Sequence, residues 1–442
     1  MKRRSIFLCT VLISLSFPLL GAIPGNLELA ALQEEVNQAI LDVRDAKASR
    51  WPTVELELSG TYMSNPLIGP ITLPAGSLSL APLTPPSDVT LYDGMESSMY
   101  DFSVNITQPL FTWGKINASV DAQEAVAEAK FQELRNREKE LLAEISTRAV
   151  TLTALEAISQ LLKQQHSLGR ELVSLASEAV ASGMMLELEQ LETEVALQDI
   201  ELAIFESDYA ITEQTLNLQA LTSDQDIYSY SFDEQAIKEL LQLPVETLIE
   251  ASLSPRQSSL RALTALKKAT EAARRLAKGS FYGKPDLALV MSAGYSSPNF
   301  PLSESDWNDQ DAYSISVSVG LKTTLFDGGK IANSIKRAES QDETATLDLQ
   351  QARQRISQEV QQQYLLLKTS MQKIDLEQRK QTALEQRVRT NEELYQSGYG
   401  TREELIHAEM NLLSSHIAEH QRSIEAWSAF QALQYLTSNP TR

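Results

Sequence analysis

The chain has 442 residues, 43% hydrophobic and 22% charged, with a formal charge of −21 and one cysteine. That length allows two or three ordinary domains. So acidic a surface repels nucleic acid and anionic lipid, which leaves a soluble acidic protein or a polar passage for solutes.

Residues 1–22 open on MKRR and continue SIFLCTVLISLSFPLLGA, the basic start and short apolar core of a secretory signal cleaved after Ala22. The competing reading is an uncleaved inner-membrane anchor, for which the apolar run is barely long enough. Cys9 lies inside this segment, too early for a lipoprotein acylation site, so the mature chain carries no thiol, disulfide or cysteine-based metal site. Loss of Lys2, Arg3 and Arg4 with the leader takes the charge to −24. No later stretch is apolar enough for a transmembrane helix.

A lead-in helix is predicted over 26–50, followed by the alternating strand PTVELELSGTY at 52–62. Val54, Leu56, Leu58 and Tyr62 fall on one side, and Thr53, Glu55, Glu57 and Ser59 on the other. The stretch 65–98, with Pro66, Pro70, Pro74, Pro82, Pro85 and Pro86, reads as an irregular loop. YDFSVNIT at 100–107 alternates again, setting Tyr100, Phe102, Val104 and Ile106 against Asp101, Ser103, Asn105 and Thr107. From 115 to 182 the chain has no proline and only Gly169 as a weak point, which predicts a rod about 100 Å long. It breaks at Gly183, and a shorter helix returns.

The segment 224–254 links to a second lead-in helix over 255–284. Two more strands follow, with apolar sets Leu287, Leu289, Met291 and Tyr295, then Tyr313, Ile315, Val317, Val319 and Leu321, around an acidic loop at 298–311. In the next long helix Ile356, Val360, Tyr364, Leu367, Met371 and Ile374 recur at threes and fours, a coiled-coil seam. Gly398 breaks that rod as Gly183 breaks the first. A returning helix stacked on a lead-in helix matches one long rod.

This order occurs twice at an offset of 215 residues: LFTWGKI at 110–116 faces LFDGGKI at 325–331, and LQALTS at 218–223 faces LQYLTS at 433–438. Glu144, Glu189 and Glu194 face Glu359, Glu404 and Glu409 without an insertion, which indicates tandem duplication. A sheet half-buried on a soluble core gives the same strand alternation. Against it, each apolar face carries a tyrosine at its loop end, Tyr62, Tyr100, Tyr295 and Tyr313, while Trp51, Phe111, Phe281 and Phe326 lie at the other end. Rings bounding an apolar band of about nine residues match the aromatic girdles of an outer-membrane barrel strand.

The chain resembles the TolC family of outer-membrane efflux proteins. The resemblance rests on TQPLFTWGK and TTLFDGGK at the strand-to-helix junctions and on YQSGYGTREELIHAEMNLLSS at a helical tip, with VASGMMLELEQLETEVAL as a looser second tip. It implies a mainly α fold with membrane β. Two tandem repeats per chain would form, in a homotrimer, a 12-stranded β-barrel continued by a long α-helical coiled-coil barrel. The expected organisation is a signal peptide at 1–22, a first repeat at 23–223 (β-hairpin 52–108, helical hairpin 115–222), a linker at 224–254, a second repeat at 255–438 (β-hairpin 285–326, helical hairpin 330–437) and a tail at 439–442. Four strands cannot close a membrane barrel, so oligomerisation follows without the family. The strands alone permit a dimer; the resemblance says three.

The resemblance also implies partners: a periplasmic adaptor at the tips, an inner-membrane pump of RND, ABC or MFS type, and outer-membrane lipid, with no nucleic acid and no cofactor. It places a pore gate at Tyr395, Glu404 and Glu189, with His407 where the family often has a second acidic residue. Glu189 and Glu404 read equally well as parts of a solvated helix face. Adaptor docking falls on Ser182, Gly183, Met184, Met185, Ser397, Gly398, Tyr399 and Thr401. Phe111, Gly114, Lys115, Phe326, Gly329 and Lys330 belong to the junctions, where the lysines serve structure.

HIAEH at 416–420 satisfies the H-x-x-E-H pattern of a zinc peptidase class. A catalytic zinc draws a third protein ligand from well downstream, and only 22 residues follow His420. His407 projects about 180° away on the same helix. No enzymatic activity and no metal are therefore expected. The reading is a passive exit duct of a tripartite efflux or type I secretion system, lying in the outer membrane of a Gram-negative cell and extending into the periplasm. The alternative is a periplasmic adaptor or coiled-coil scaffold without a channel, against which the four tyrosine-tipped strands argue.

Overall fold

A computed structural model describes residues 26–64, 69–75, 87–92, 97–222, 230–298 and 313–437. The signal segment, most prolines of the first loop, the loop at 299–312, the start of the linker and the tail lie outside them. The chain divides into two compact units, residues 1–37, 128–265 and 347–442, and residues 38–127 and 266–346.

The second unit holds the strands β1 (Thr53–Tyr62), β2 (Ile71–Leu73), β3 (Val89–Tyr92), β4 (Ser98–Phe111), β5 (Asp286–Ser297) and β6 (Tyr313–Lys322). Four form one sheet in the order β1-β4-β5-β6, every pair antiparallel. Register fixes the faces. Leu56 pairs with Val104, Val104 with Ala293 and Ala293 with Ile315, so all four predicted apolar sets share one side. That side is not packed on a core: Leu56 is 66% exposed, Ile315 83% and Leu321 70%. On the other side Asn105 accepts from the Ser292 hydroxyl at 2.7 Å, and Asp101 from the Ser296 hydroxyl at 2.6 Å. β1 and β6 are the sheet's edges.

The first loop is not wholly irregular. Residues 71–73 and 89–92 pair as the separate ribbon of β2 and β3. Pro70 and Pro74 stand just outside the first of these strands, where a missing N–H breaks no ladder bond, so the prolines bound the strand instead of forbidding it. β4 runs past the predicted 107 to Phe111, and a register shift between Pro109 and Phe111 accommodates the proline.

The helices are α1 (Leu27–Ala48), α2 (Lys115–Ala181), α3 (Glu187–Leu221), α4 (Glu234–Leu241), α5 (Val245–Ser252), α6 (Ser258–Gly279), α7 (Lys330–Gln396) and α8 (Arg402–Thr437). α2 and α7 are each 67 residues, about 100 Å at 1.5 Å per residue. Among the described residues no helix is long and apolar enough to cross a membrane.

In the first unit, hydrogen bonds join α7 to α8 (Ser415 to Glu377, 2.8 Å), α8 to α2 (Gln165 to the Met410 carbonyl, 3.0 Å) and α2 to α3 (Ser159 to Asp208, 3.0 Å). Val360, Leu367, Met371 and Ile374 of the α7 seam are buried in one cluster with Phe430 and Leu433 of α8 and Ile237 and Leu248 of the linker helices. The seam thus closes on α8, α4 and α5. Asn26 joins the ends of two other helices: its amide donates to the Leu221 carbonyl at 3.2 Å, while its side-chain oxygen accepts from Leu29 N–H at the start of α1.

Candidate functional site

The two helical hairpins end in the same backbone device. Met184 N–H donates to the Ala179 carbonyl (2.8 Å) and Gly183 N–H to that of Val180 (2.9 Å); Tyr399 and Gly398 repeat this toward Leu394 and Tyr395. Both are Schellman turns, which require a left-handed residue, and Gly183 (φ 74°) and Gly398 (φ 78°) supply it. The Ser182 and Ser397 hydroxyls donate back to the Glu178 and Glu393 carbonyls. Met184 and Tyr399 project at the turns, 81% and 87% exposed, and Met185 is half-buried.

Glu189 and Glu404 carry a local role that the gate reading missed. Thr401 N–H donates to Glu404 Oε2 (3.1 Å), and Glu404 N–H donates to Thr401 Oγ1 (3.2 Å), a complete capping box at the start of α8. Leu186 N–H donates to Glu189 Oε2 at 3.2 Å, the half of the same box that leucine permits. The T-x-x-E spacing at 401–404 is the signal that predicts it. Tyr395 stands 45% exposed in the last turn of α7, and His407 faces solvent with Nε2 3.8 Å from Glu403.

Near these tips α8 is tied to α2. Arg402 donates to both oxygens of Glu171, Nε to Oε1 at 2.7 Å and Nη2 to Oε2 at 3.0 Å, with Glu409 at 3.9 Å. The guanidinium holds the Glu171 carboxyl below its ordinary value, chiefly through these hydrogen bonds. A depressed carboxyl stabilises the tie above its unperturbed pKa, and that contribution is lost as pH falls through the lowered one. Acidification should therefore lower the hydrogen-exchange protection factors, rates relative to the intrinsic exchange at each pH, in the first turn of α8. Glu171→Gln should show low protection factors at every pH; a variant as protected and as pH-dependent as wild type would remove the tie from the account. No local signal announces a pair 231 residues apart.

At the sheet's helical end the chain reverses through consecutive left-handed residues, Trp113 (φ 53°) and Gly114 (φ 75°), then Gly328 (φ 69°) and Gly329 (φ 89°). For tryptophan this backbone costs about 1–2 kcal/mol. Local contacts offset it: the indole N–H donates to the Pro285 carbonyl at 2.9 Å, and the ring meets Phe111 edge-on at 5.1 Å. Lys115 pairs with Asp286 and lies against Gly279, where a Cβ would meet its Cγ at 2.6 Å. At the other junction Asp327 caps α7, accepting from the N–H groups of Gly329 and Ile331 and from the Tyr282 hydroxyl. Lys330 is exposed.

The ring sets lie where the register takes them. Tyr295 and Tyr313 are directly paired with centroids 5.1 Å apart, Tyr100 faces Gly60, and Tyr62 ends the same apolar side. A Cβ on Gly60 would meet the Tyr100 ring at 3.3 Å. Toward the helices Trp51, Phe111, Phe281 and Phe326 are 73%, 51%, 49% and 85% exposed. The HIAEH segment is occupied otherwise, since Glu419 accepts from Gln378 and Gln381 of α7. Among the described residues no three His, Cys, Asp or Glu side chains are placed to share a metal.

The fold has solved counterparts. The chain is similar to the outer membrane protein VceC from Vibrio cholerae (18% identity, 93% of each chain covered, TM-score 0.72). It is similar also to the Campylobacter jejuni CmeC outer membrane channel (14%, covering 94% of this chain and 83% of that one, TM-score 0.74). A third is the open state of the Neisseria gonorrhoeae MtrE outer membrane channel (13%, 94% and 86%, TM-score 0.67). No curated protein sequence matches the chain significantly. The outer membrane efflux protein family matches residues 22–223 and 249–439, nearly the whole chain. The chain belongs to the outer membrane efflux protein family, the TolC-type exit ducts.

Proposed function

We propose that three copies of the chain close one 12-stranded barrel in the outer membrane, continued by a helical tunnel into the periplasm. The observation that carries this reading is the sheet: four registered strands with an exposed apolar face and two unpaired edges, β1 and β6. In lipid an open edge leaves backbone groups without partners, so β1 of one copy must pair with β6 of the next. A head-to-tail contact of this kind closes as a ring. The family resemblance supports three copies rather than the two that eight strands would allow.

The helical unit supports the same arrangement. Along α3, Leu188, Val195, Leu202, Tyr209 and Leu216 recur every seventh residue and are all exposed, the pattern of an uncovered coiled-coil seam. On α7, Leu347, Leu365, Leu376 and Leu394 are exposed at spacings of 18, 11 and 18 residues, which superpose on one helical face. α3 and α7 stand at opposite ends of the hydrogen-bonded series α7-α8-α2-α3, so each stripe is free to meet the other on a neighbouring copy.

The polar sheet face lines the pore in this reading. It carries Glu55, Glu57, Asp101 and Asp286 against Lys322 alone, and so favours cations. The tip residues Ser182, Gly183, Met184, Met185, Ser397, Gly398, Tyr399 and Thr401 offer the turns to an adaptor, and Tyr395, Glu404, Glu189 and His407 border the entrance. The chain supplies passage, and an inner-membrane pump supplies energy. Purified from outer membranes, the chain should have the mass of three copies and, in planar bilayers, a reversal potential of cation sign. A monomer overturns the assembly, and anion preference overturns the assignment of the polar face to the pore.

A further inference from the structure

The acidic net charge of the chain is not spread evenly about the sheet. The loops at 63–97 and 298–312 contain seven Asp or Glu and no Lys, Arg or His. At the other end, the four segments joining strands to helices, with the helical turn adjoining each, hold six Lys or Arg against Asp45 and Asp327. The repulsion of anionic lipid expected from overall composition is therefore inverted locally.

One corner of this end continues the apolar face directly. Phe111 pairs with Leu287 on the apolar side, and Trp113 meets Phe111 edge-on and is 43% exposed. Lys284 Nζ lies 5.8 Å from the centre of the Trp113 ring and donates to the neutral Lys278 carbonyl. Lys115 and Lys278, by contrast, are engaged with Asp286 and Glu339. An indole whose N–H is already satisfied, set between an apolar surface and an ammonium, has the order of groups that a lipid presents from acyl chain to phosphate. The partner copy of Trp113 in the repeat, at the 215-residue offset, is Gly328, which takes the same left-handed backbone without strain.

We propose that the Trp113–Lys284 corner binds the phosphate of an anionic phospholipid in the leaflet on the helical side of the membrane, one such site per chain. The inference rests on the apolar strand face lying in lipid. Its ligand is a headgroup bearing net negative charge, of the phosphatidylglycerol type, in preference to a zwitterionic one, because the Lys284 ammonium meets a neutral carbonyl and no carboxylate among the described residues.

The test uses the assembled full-length protein in nanodiscs of mixed phosphatidylethanolamine and phosphatidylglycerol, with retained lipids counted by native mass spectrometry. Wild type should retain phosphatidylglycerol preferentially, and Lys284→Gln should weaken that preference by about fivefold, the effect of one lysine near a headgroup. Trp113→Gly should lose the preference as well, with the indole gone and the left-handed backbone retained. Glu57→Gln, on the opposite face, should leave the retained lipid and its headgroup preference unchanged. Lipid retained without headgroup preference overturns the proposal alone. Failure to enter nanodiscs overturns the membrane reading beneath it. A Lys284→Gln variant that retains phosphatidylglycerol but loses assembly mass would mean that a second copy covers the corner, which also overturns it.

Discussion

Leu56→Arg should abolish assembly in the outer membrane, whereas Glu57→Lys, one residue along the same strand, should leave it intact. Leu56 sits mid-strand on the apolar side, paired with Val104 and 66% exposed, while Glu57 faces the opposite way beside Ser103. An arginine at the bilayer midplane costs about 2–4 kcal/mol in a barrel strand, and every closed barrel would carry one from each copy. If the polar side lines the pore it meets water, and Lys at 57 adds no such penalty. Semi-native electrophoresis of the outer-membrane fraction separates the outcomes: a missing oligomer band for Leu56→Arg and a normal one for Glu57→Lys. Val317→Arg tests the same face from the opposite edge strand. Equal tolerance at 56 and 57 would mean that lipid does not contact the apolar side.

The pair Leu202→Asp with Tyr209→Asp should leave the chain folded and monomeric. These residues are 57% and 70% exposed, seven positions apart on α3. The internal contacts of α3 are made elsewhere, by buried Ser207 and Leu218 and by the Asp208 bond to Ser159. Burying a Leu or Tyr against a neighbouring copy contributes about 1.5–3 kcal/mol each, and a buried aspartate reverses the sign. Circular dichroism should show unchanged helicity while light scattering shows loss of the assembly. An intact trimer would place the seam between copies elsewhere than on this stripe.

Strand faces and rods were legible because both depend on local periodicity. Alternation at Val54, Leu56 and Leu58 and the threes and fours at Val360, Leu367, Met371 and Ile374 name the sides that the backbone later presents. What alternation leaves open is whether the apolar side is covered, since a buried and a lipid-facing sheet carry the same pattern; in the folded chain no other part of the described chain covers it. The ribbon at 71–73 and 89–92 is hidden in a proline-rich loop because its prolines, Pro70 and Pro74, stand outside the strand and so do not mark its interior. The Arg402–Glu171 tie and the Asn26 link to Leu221 depend on which helices become neighbours, which no local pattern encodes. The heptad stripe on α3 is present in the sequence, but only its exposure distinguishes it from a seam buried within the chain. For Glu189 and Glu404 the spacing from the turn, three residues past Leu186 and Thr401, specifies capping.

The membrane placement of the sheet is tested most directly by a single-cysteine scan along 53–62 and 313–322, since Cys9 is the only native cysteine. Spin labels on the assembled protein in outer-membrane vesicles should alternate with a period of two. Val54, Leu56, Leu58, Ile315, Val317 and Val319 should be open to oxygen dissolved in lipid, and Glu55, Glu57, Ser316 and Ser318 to a water-soluble relaxer. Uniform access to the water-soluble relaxer at every position would contradict the account.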